Sequence, residues 1–249
     1  ELIQEIKIPL SEKNIAFTIK PSGFNLLETS IGGLLTSRST VLIQESQAGG
    51  GSPNYRGMEA NRLLLVVDNI ALNNAIYRSG HLQSSSTINP FFIESIKLLS
   101  GPSSVSYGNG AMGGALVFNT KKTKNKNAIY FNQQFKSSNN SVNVNFLANY
   151  YKKKISSLTG FSLNSSGNIT MGKNRLHGYA DWGAESIINN KNEQLFTNYT
   201  KGDFIHKTKY AINNNSFVLF NTQYSHSSNI YRFDKMNDLK NGSAKYKHW

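Results

Sequence analysis

The 249-residue chain has no cysteine, few acidic residues and no aliphatic run longer than the five residues Leu63 to Val67. Without cysteine there are no disulfides, thiolate metal sites or cysteine nucleophiles. A helix that crosses a bilayer needs about 20 consecutive apolar residues, so any membrane role has to come from strands. The acidic deficit, 14 Asp and Glu against 27 Lys and Arg, leaves a net charge of +13. Such an excess first suggests nucleic acid or an anionic surface. The helix-turn-helix pattern, zinc-finger spacing and RNA-recognition aromatic motif that would support a nucleic-acid partner are missing. So are a Ser-His-Asp arrangement, paired carboxylates and a phosphate-binding loop, which argues against an enzyme and against a required cofactor. At 38% hydrophobic and 11% aromatic residues the chain is too apolar for disorder.

The charge is unevenly placed. Residues 1–125 carry 11 basic and 8 acidic residues, and residues 126–249 carry 16 and 6. The excess falls where apolar and polar residues alternate in segments of roughly ten, the pattern of strands with lipid on one side and water on the other, and it reads as lumen and loop charge. Over 142–151, Val142, Val144, Phe146, Ala148 and Tyr150 oppose Asn143, Asn145 and Asn149. Segments 128–136, 155–163, 204–212 and 217–226 follow the same period of two. A soluble sandwich alternates too. Aromatic strand residues, abundant asparagine and one short and one long connection (137–141 and 165–199) favour a barrel. Five strands fall short of the roughly eight needed for closure, so the expected barrel is incomplete.

Residues 1–125 read as a separate α+β domain, with 126–249 as the first barrel strands. A helix is expected near Leu26 to Leu35, with Gly49-Gly50-Gly51-Ser52-Pro53 as a breaker. Strands are expected at Leu63 to Val67, Ile93 to Leu99 and Ala115 to Asn119, with a helical turn at Ser103 to Tyr107. Gly108-Asn109-Gly110-Ala111-Met112-Gly113 matches dinucleotide-loop spacing, but a strand follows it and no acidic residue occurs from Lys121 to Ala180. Gly108, Gly110, Gly113 and Gly114 are instead expected to permit positive φ and close backbone approach.

From about Ser30 to Thr120 the sequence resembles the plug domain of TonB-dependent outer-membrane receptors. The similarity rests on Tyr55-Arg56-Gly57, Arg62 to Asp68, the strand ending at Gly101-Pro102, and the stretch from Tyr107 through Gly114. Glu59-Ala60-Asn61-Arg62 and Asn73 through Leu82 are similar to haem and haemoglobin receptors within that family. The resemblance implies a plug inside a 22-stranded barrel of the bacterial outer membrane, embedded in its lipid and energised through the TonB complex. Two departures are Ser100, where the family often has Arg before Gly-Pro, and Met58, where an aromatic is common.

The resemblance also implies a site. His81, in a Ser-Gly-His-Leu context, is the candidate axial ligand to haem iron, because neutral imidazole is a good iron ligand. Arg78 could pair with a haem propionate, and Tyr77 flanks the same loop. Arg56, Glu59 and Arg62 are expected to form an ion-pair cluster that positions the plug. The expected function is TonB-coupled uptake of an iron-bearing ligand, haem itself or haem from a haemoprotein. The alternatives are a ferric-siderophore or other receptor of the same family, or a plug-type binding module that transports nothing.

Overall fold

The computed structural model describes residues 15–21, 28–44, 51–59, 62–72, 85–170 and 193–231. The chain divides into two compact units. One comprises 1–44, 51–85 and 93–121; the other comprises 45–50, 86–92 and 122–249.

The first unit is built on a mixed five-stranded sheet. Its strands are β1 (Ile15–Ile19), β4 (Leu63–Val67), β5 (Ile70–Ala71), β6 (Ile93–Leu99) and β7 (Gly114–Thr120), in the order β1-β6-β7-β4-β5. A two-stranded sheet pairs β2 (Leu42–Gln44) with β3 (Ser52–Asn54). Every residue of β4 is buried. Its continuous apolar run is what a strand parallel to its neighbour and covered on both faces requires, and β4 is indeed parallel to β7. Leu63, Leu65, Val66, Ile96, Leu98, Leu116 and Phe118 are fully shielded from solvent. Ile31, Leu34 and Leu35 of α1 (Ile31–Arg38) are buried as well. The helix begins later than the apolar pattern suggests, because the Ser30 hydroxyl accepts from the Gly33 amide at 3.0 Å and caps it there.

Turn chemistry fixes the ends of β4. Asp68 and Asn69 both take positive φ, 47° and 68°, forming the two-residue turn that returns the chain into β5. The Asp68 carboxylate also accepts from the Thr120 amide at 2.9 Å and its hydroxyl at 2.6 Å, tying that turn to the end of β7. The expected breaker at Gly49 to Pro53 overlaps β3. Pro53 is tolerated there because β2 and β3 form an isolated ribbon that leaves one side of each strand unpaired.

The second unit is an antiparallel sheet of five long strands: β8 (Ala128–Lys136), β9 (Ser141–Lys152), β10 (Ile155–Ser166), β13 (Tyr199–Ala211) and β14 (Phe217–Ser227). They lie in the order β14-β13-β10-β9-β8, and the sheet is open among the described residues. A short ribbon, β11 (Ile169–Thr170) with β12 (Glu193–Gln194), lies in the long connection before β13. The strand expected over 204–212 begins five residues earlier, at Tyr199.

The burial of this sheet is inverted. Ser141, Asn143, Asn145, Asn149, Ser156, Ser162, Asn164, Asp203 and Lys207 are buried, whereas Ile129, Phe131, Phe135, Phe161, Leu163 and Tyr224 are more than half exposed. A soluble sandwich turns such a face inward, but here the apolar side is bare. Phe131, Phe146, Phe161, Phe204 and Tyr224 occupy one register across all five strands and form a continuous aromatic row on that side. One residue along lies the opposite-facing row Asn132, Asn145, Ser162, Asp203 and Ser225, linked by hydrogen bonds from Asn145 to Asn132 (3.3 Å), Ser162 to Asn145 (2.6 Å) and Ser225 to Asp203 (2.6 Å). No described helix is long and apolar enough to span a membrane; a bare apolar side backed by a bonded polar side is the pattern of strands in a transmembrane barrel wall, whose apolar side meets lipid.

The two faces predict opposite mutational responses. Phe161→Arg is expected to cost about 2–4 kcal/mol of folding free energy in lipid vesicles, as for a cation near the bilayer midplane, whereas Tyr130→Arg on the opposite face is expected to cost little. The check is denaturant unfolding of the vesicle-embedded protein; equal effects would refute the facing.

Candidate functional site

Two constellations are brought together, one in each unit. In the first unit, Tyr55 and Met58 exchange backbone hydrogen bonds of 2.9 Å in each direction, closing a turn with Arg56 and Gly57 at its corners. Both corners have positive φ, 51° and 77°, and the Asn54 side chain accepts from the Gly57 amide at 3.1 Å. The Arg56 guanidinium lies 5.1 Å over the Tyr55 ring. Glu59 accepts from the Asn54 side-chain amide at 3.4 Å. Among the described residues no ion pair joins Arg56, Glu59 and Arg62, which are expected from the sequence to form a cluster. Arg56 spends its planar cation on an aromatic face, and the Glu59 carboxylate is taken by an amide.

This turn supports the glycine stretch. The Gly113 amide donates to the Arg62 carbonyl at 2.6 Å. A Cβ at Gly113 would stand 2.4 Å from the Met58 Cβ and 3.0 Å from that carbonyl, so no side chain fits. Gly114 has φ 142° with the Leu99 carbonyl 2.9 Å from any Cβ, and Gly108 has φ 88°. Gly101 also has positive φ, 63°, where β6 gives way to a 3-10 turn. A Cβ at Gly110 would stand 3.1 Å from the Leu64 side chain. Tyr107 packs on the cluster of Leu64, Val66, Leu99 and Val117, and desolvation raises its phenol pKa above the usual 10.

The second constellation was not apparent from the sequence. Residues 86–92 pack within the wall unit, although the chain belongs to the first unit from Gly51 to Ser85 and again from Ile93 to Lys121. Phe92 is 5% exposed and sits with Leu147, Leu158 and Ile205 of the wall. Gly160 makes this seat: a Cβ there would lie 2.7 Å from Phe92, 2.8 Å from Leu147 and 2.9 Å from Ile205. Beside it the Asn89 amide donates to Asp203 Oδ2 at 2.8 Å, and both residues are buried. Asp203 Oδ1 accepts from Ser225 at 2.6 Å and pairs with Lys201 Nζ at 3.1 Å.

A second strip, Thr123 to Asn127, is also fastened to the wall. Asn149 accepts from the Lys124 amide at 2.9 Å and donates to the Lys124 carbonyl at 2.7 Å and to the Lys126 carbonyl. Ser156 donates to Thr123 at 3.0 Å, and the Tyr151 amide to Asn127 at 2.6 Å. The strip that leads into β8 is thus held to the wall by side-chain hydrogen bonds along its length.

Tyr77, Arg78 and His81 lie outside the described residues. Among the described residues no cluster of three or more metal-binding side chains occurs. His206 has both ring nitrogens engaged, by Thr159 and Thr208 hydroxyls at 2.9 Å each. Signals for the wall seat were present but weak: a glycine inside a strand marks close approach, and Asp203 is an isolated acid among Lys201, Lys207 and Lys209. If Gly160 makes room for Phe92, Gly160→Ala should loosen segment 86–92 by about 1–3 kcal/mol. Amide exchange at Phe92 is the measurement, and unchanged protection would overturn the packing argument.

Comparison with known proteins agrees with this architecture. Residues 25–115 match the family model described as "TonB-dependent Receptor Plug Domain". The heme/hemopexin utilization protein C of Haemophilus influenzae strain 86-028NP is 27% identical over 154 residues, covering 53% of this chain and 21% of that protein. The siderophore receptor PirA from Acinetobacter baumannii superposes with a TM-score of 0.64 at 21% identity, over 88% of this chain and 32% of that one. The FrpB iron transporter of Neisseria meningitidis (F5-1 variant) gives 0.64 at 16% identity, over 84% and 30%. The chain thus spans about a fifth of the curated relative and a third of the solved structures. Residues 25–115 thus match the plug domain of TonB-dependent receptors, and the strands that follow share the fold of solved receptors with such a plug.

Proposed function

We propose that this chain is the plug and part of the wall of an outer-membrane receptor that takes up an iron-bearing ligand, with haem as the cargo, in a TonB-coupled cycle. The observation that carries the membrane part is the inverted sheet. Its aromatic row is bare where a soluble protein would bury it, and its polar row is buried and hydrogen bonded. The same inversion weighs against a soluble module that transports nothing, since an exposed face of that kind requires lipid or a partner.

Haem is favoured over other cargo by the relative named for heme and hemopexin utilization and by the histidine in the segment Asn73 to Leu82. In this reading His81 supplies a neutral imidazole to the iron, Arg78 meets a propionate with its planar fork, and Tyr77 lies alongside. The solved siderophore receptors of the same fold support a second reading, a ferric-siderophore cargo handled by the same scaffold. A plugged lumen conducts nothing by itself. Uptake therefore requires that cargo and TonB bind two plug states with different affinities.

The test is haemin binding to the whole receptor that carries this chain. His81→Ala is expected to lower haemin affinity by about tenfold or more and to shift the Soret band of the bound haem. An unchanged band and affinity would remove His81 as a ligand, and uptake of a ferric siderophore but not haemin would select the second reading.

A further inference from the structure

We propose that Asp203 is a positioning residue that acts as a releasable anchor: its carboxylate holds segment 86–92 on the wall, and the segment must leave it when the lumen opens. The inference rests on the uptake reading and adds to it a site at which the chain lets go. Asn89 stands eight residues after His81 in the sequence, so an anchor there fixes the near end of the stretch assigned to cargo.

The chemistry of the contact is suited to opening and closing. Asp203 divides its two oxygens, with Oδ2 taking Asn89 and Oδ1 taking Ser225 and Lys201. When Asn89 departs, the carboxylate remains paired with a cation and bonded to a hydroxyl. Asn89 is likewise engaged twice, since its Oδ1 accepts from the Phe91 amide at 2.9 Å within its own turn. Release breaks the charge-assisted hydrogen bond from Asn89 and the packing of Phe91 and Phe92 on Leu147, Leu158 and Ile205, and it leaves the Asp203 charge paired, whereas a stranded buried charge would be far more costly. The Gly160 seat adds shape without a further polar bond, because Phe92 offers only a ring.

The contrast with the strip at Thr123 to Asn127 sharpens the assignment. There one side chain, Asn149, makes three bonds to backbone atoms of Lys124 and Lys126, and two neighbours add more. Between these two fastenings lie β6 and β7. The later one is continuous with the first wall strand and has every reason to stay shut, which leaves the Asn89 contact as the one to open.

The experiment exchanges donor and acceptor. In the whole receptor, Asn89→Asp sets carboxylate against carboxylate, and the double change Asn89→Asp with Asp203→Asn restores an amide opposite a carboxylate with the roles reversed. In outer-membrane vesicles, Asn89→Asp is expected to speed amide exchange across Ser86–Phe92 by about tenfold or more while β9 keeps its protection. Cells carrying it are expected to admit vancomycin that the unaltered receptor excludes, and the double variant to recover both properties. Unchanged exchange in Asn89→Asp, a double variant as loose as the single, or faster exchange without vancomycin entry would each overturn the anchor. Failure of the unaltered receptor to take up haemin or a ferric siderophore would count against the uptake reading instead, and leaves the exchange result intact.

Discussion

The wall depends on one constraint: in hydrocarbon a peptide group has no water to bond, so each strand must satisfy its backbone on its neighbours. β10 meets this on both sides without a break, pairing from Ile155 to Ser166 with β13 and from Ile155 to Ser165 with β9. With registers locked over such lengths, a slip of one residue would turn the aromatic row inward and the asparagines toward lipid. The cross-strand rows follow from that lock. Phe131, Phe146, Phe161, Phe204 and Tyr224 align because their strands cannot shift, and the Asn-Ser-Asp row aligns for the same reason.

The first unit obeys a different rule, and its irregularities mark the difference. Its sheet carries register shifts between Ile15 and Phe17 and between Ile93 and Ser95. Surrounding protein can absorb such breaks, since the freed groups can find other partners. Stability here comes from buried aliphatic strands, and specificity comes from turns. Asp68 bonds across to Thr120, while Gly113 lets the glycine stretch touch Met58 and the Arg62 carbonyl. Two sequence motifs far apart along the chain are thereby one contact in space.

How much of this could be read in advance depended on range. Period-two alternation is local, so all five wall strands were visible, and β8 begins and ends where its alternation does. β4 was visible because five apolar residues in a row, closed off by turn residues, suit a short strand covered on both faces and are too few for a buried helix. Boundaries governed by single polar contacts were less accessible: α1 starts at Ile31 because Ser30 caps it, not because the apolar pattern begins there. The anchor was hidden for a stronger reason. Asn89 and Asp203 are 114 residues apart, and neither belongs to a periodic set that would announce its partner. The family resemblance supplied the plug and the cargo segment, but it carried no information about a contact particular to this chain.

The margins of the wall have a consequence for how it is made. β8 and β14 are the outermost strands of their sheet among the described residues, and each offers one side with no neighbour. Nearly all of β14 is also open to solvent, including Phe217, Val218, Leu219 and Phe220 in succession. A ribbon with that composition and a free edge is a template for indiscriminate strand addition. Such an edge has to be paired or covered before an unrelated strand reaches it.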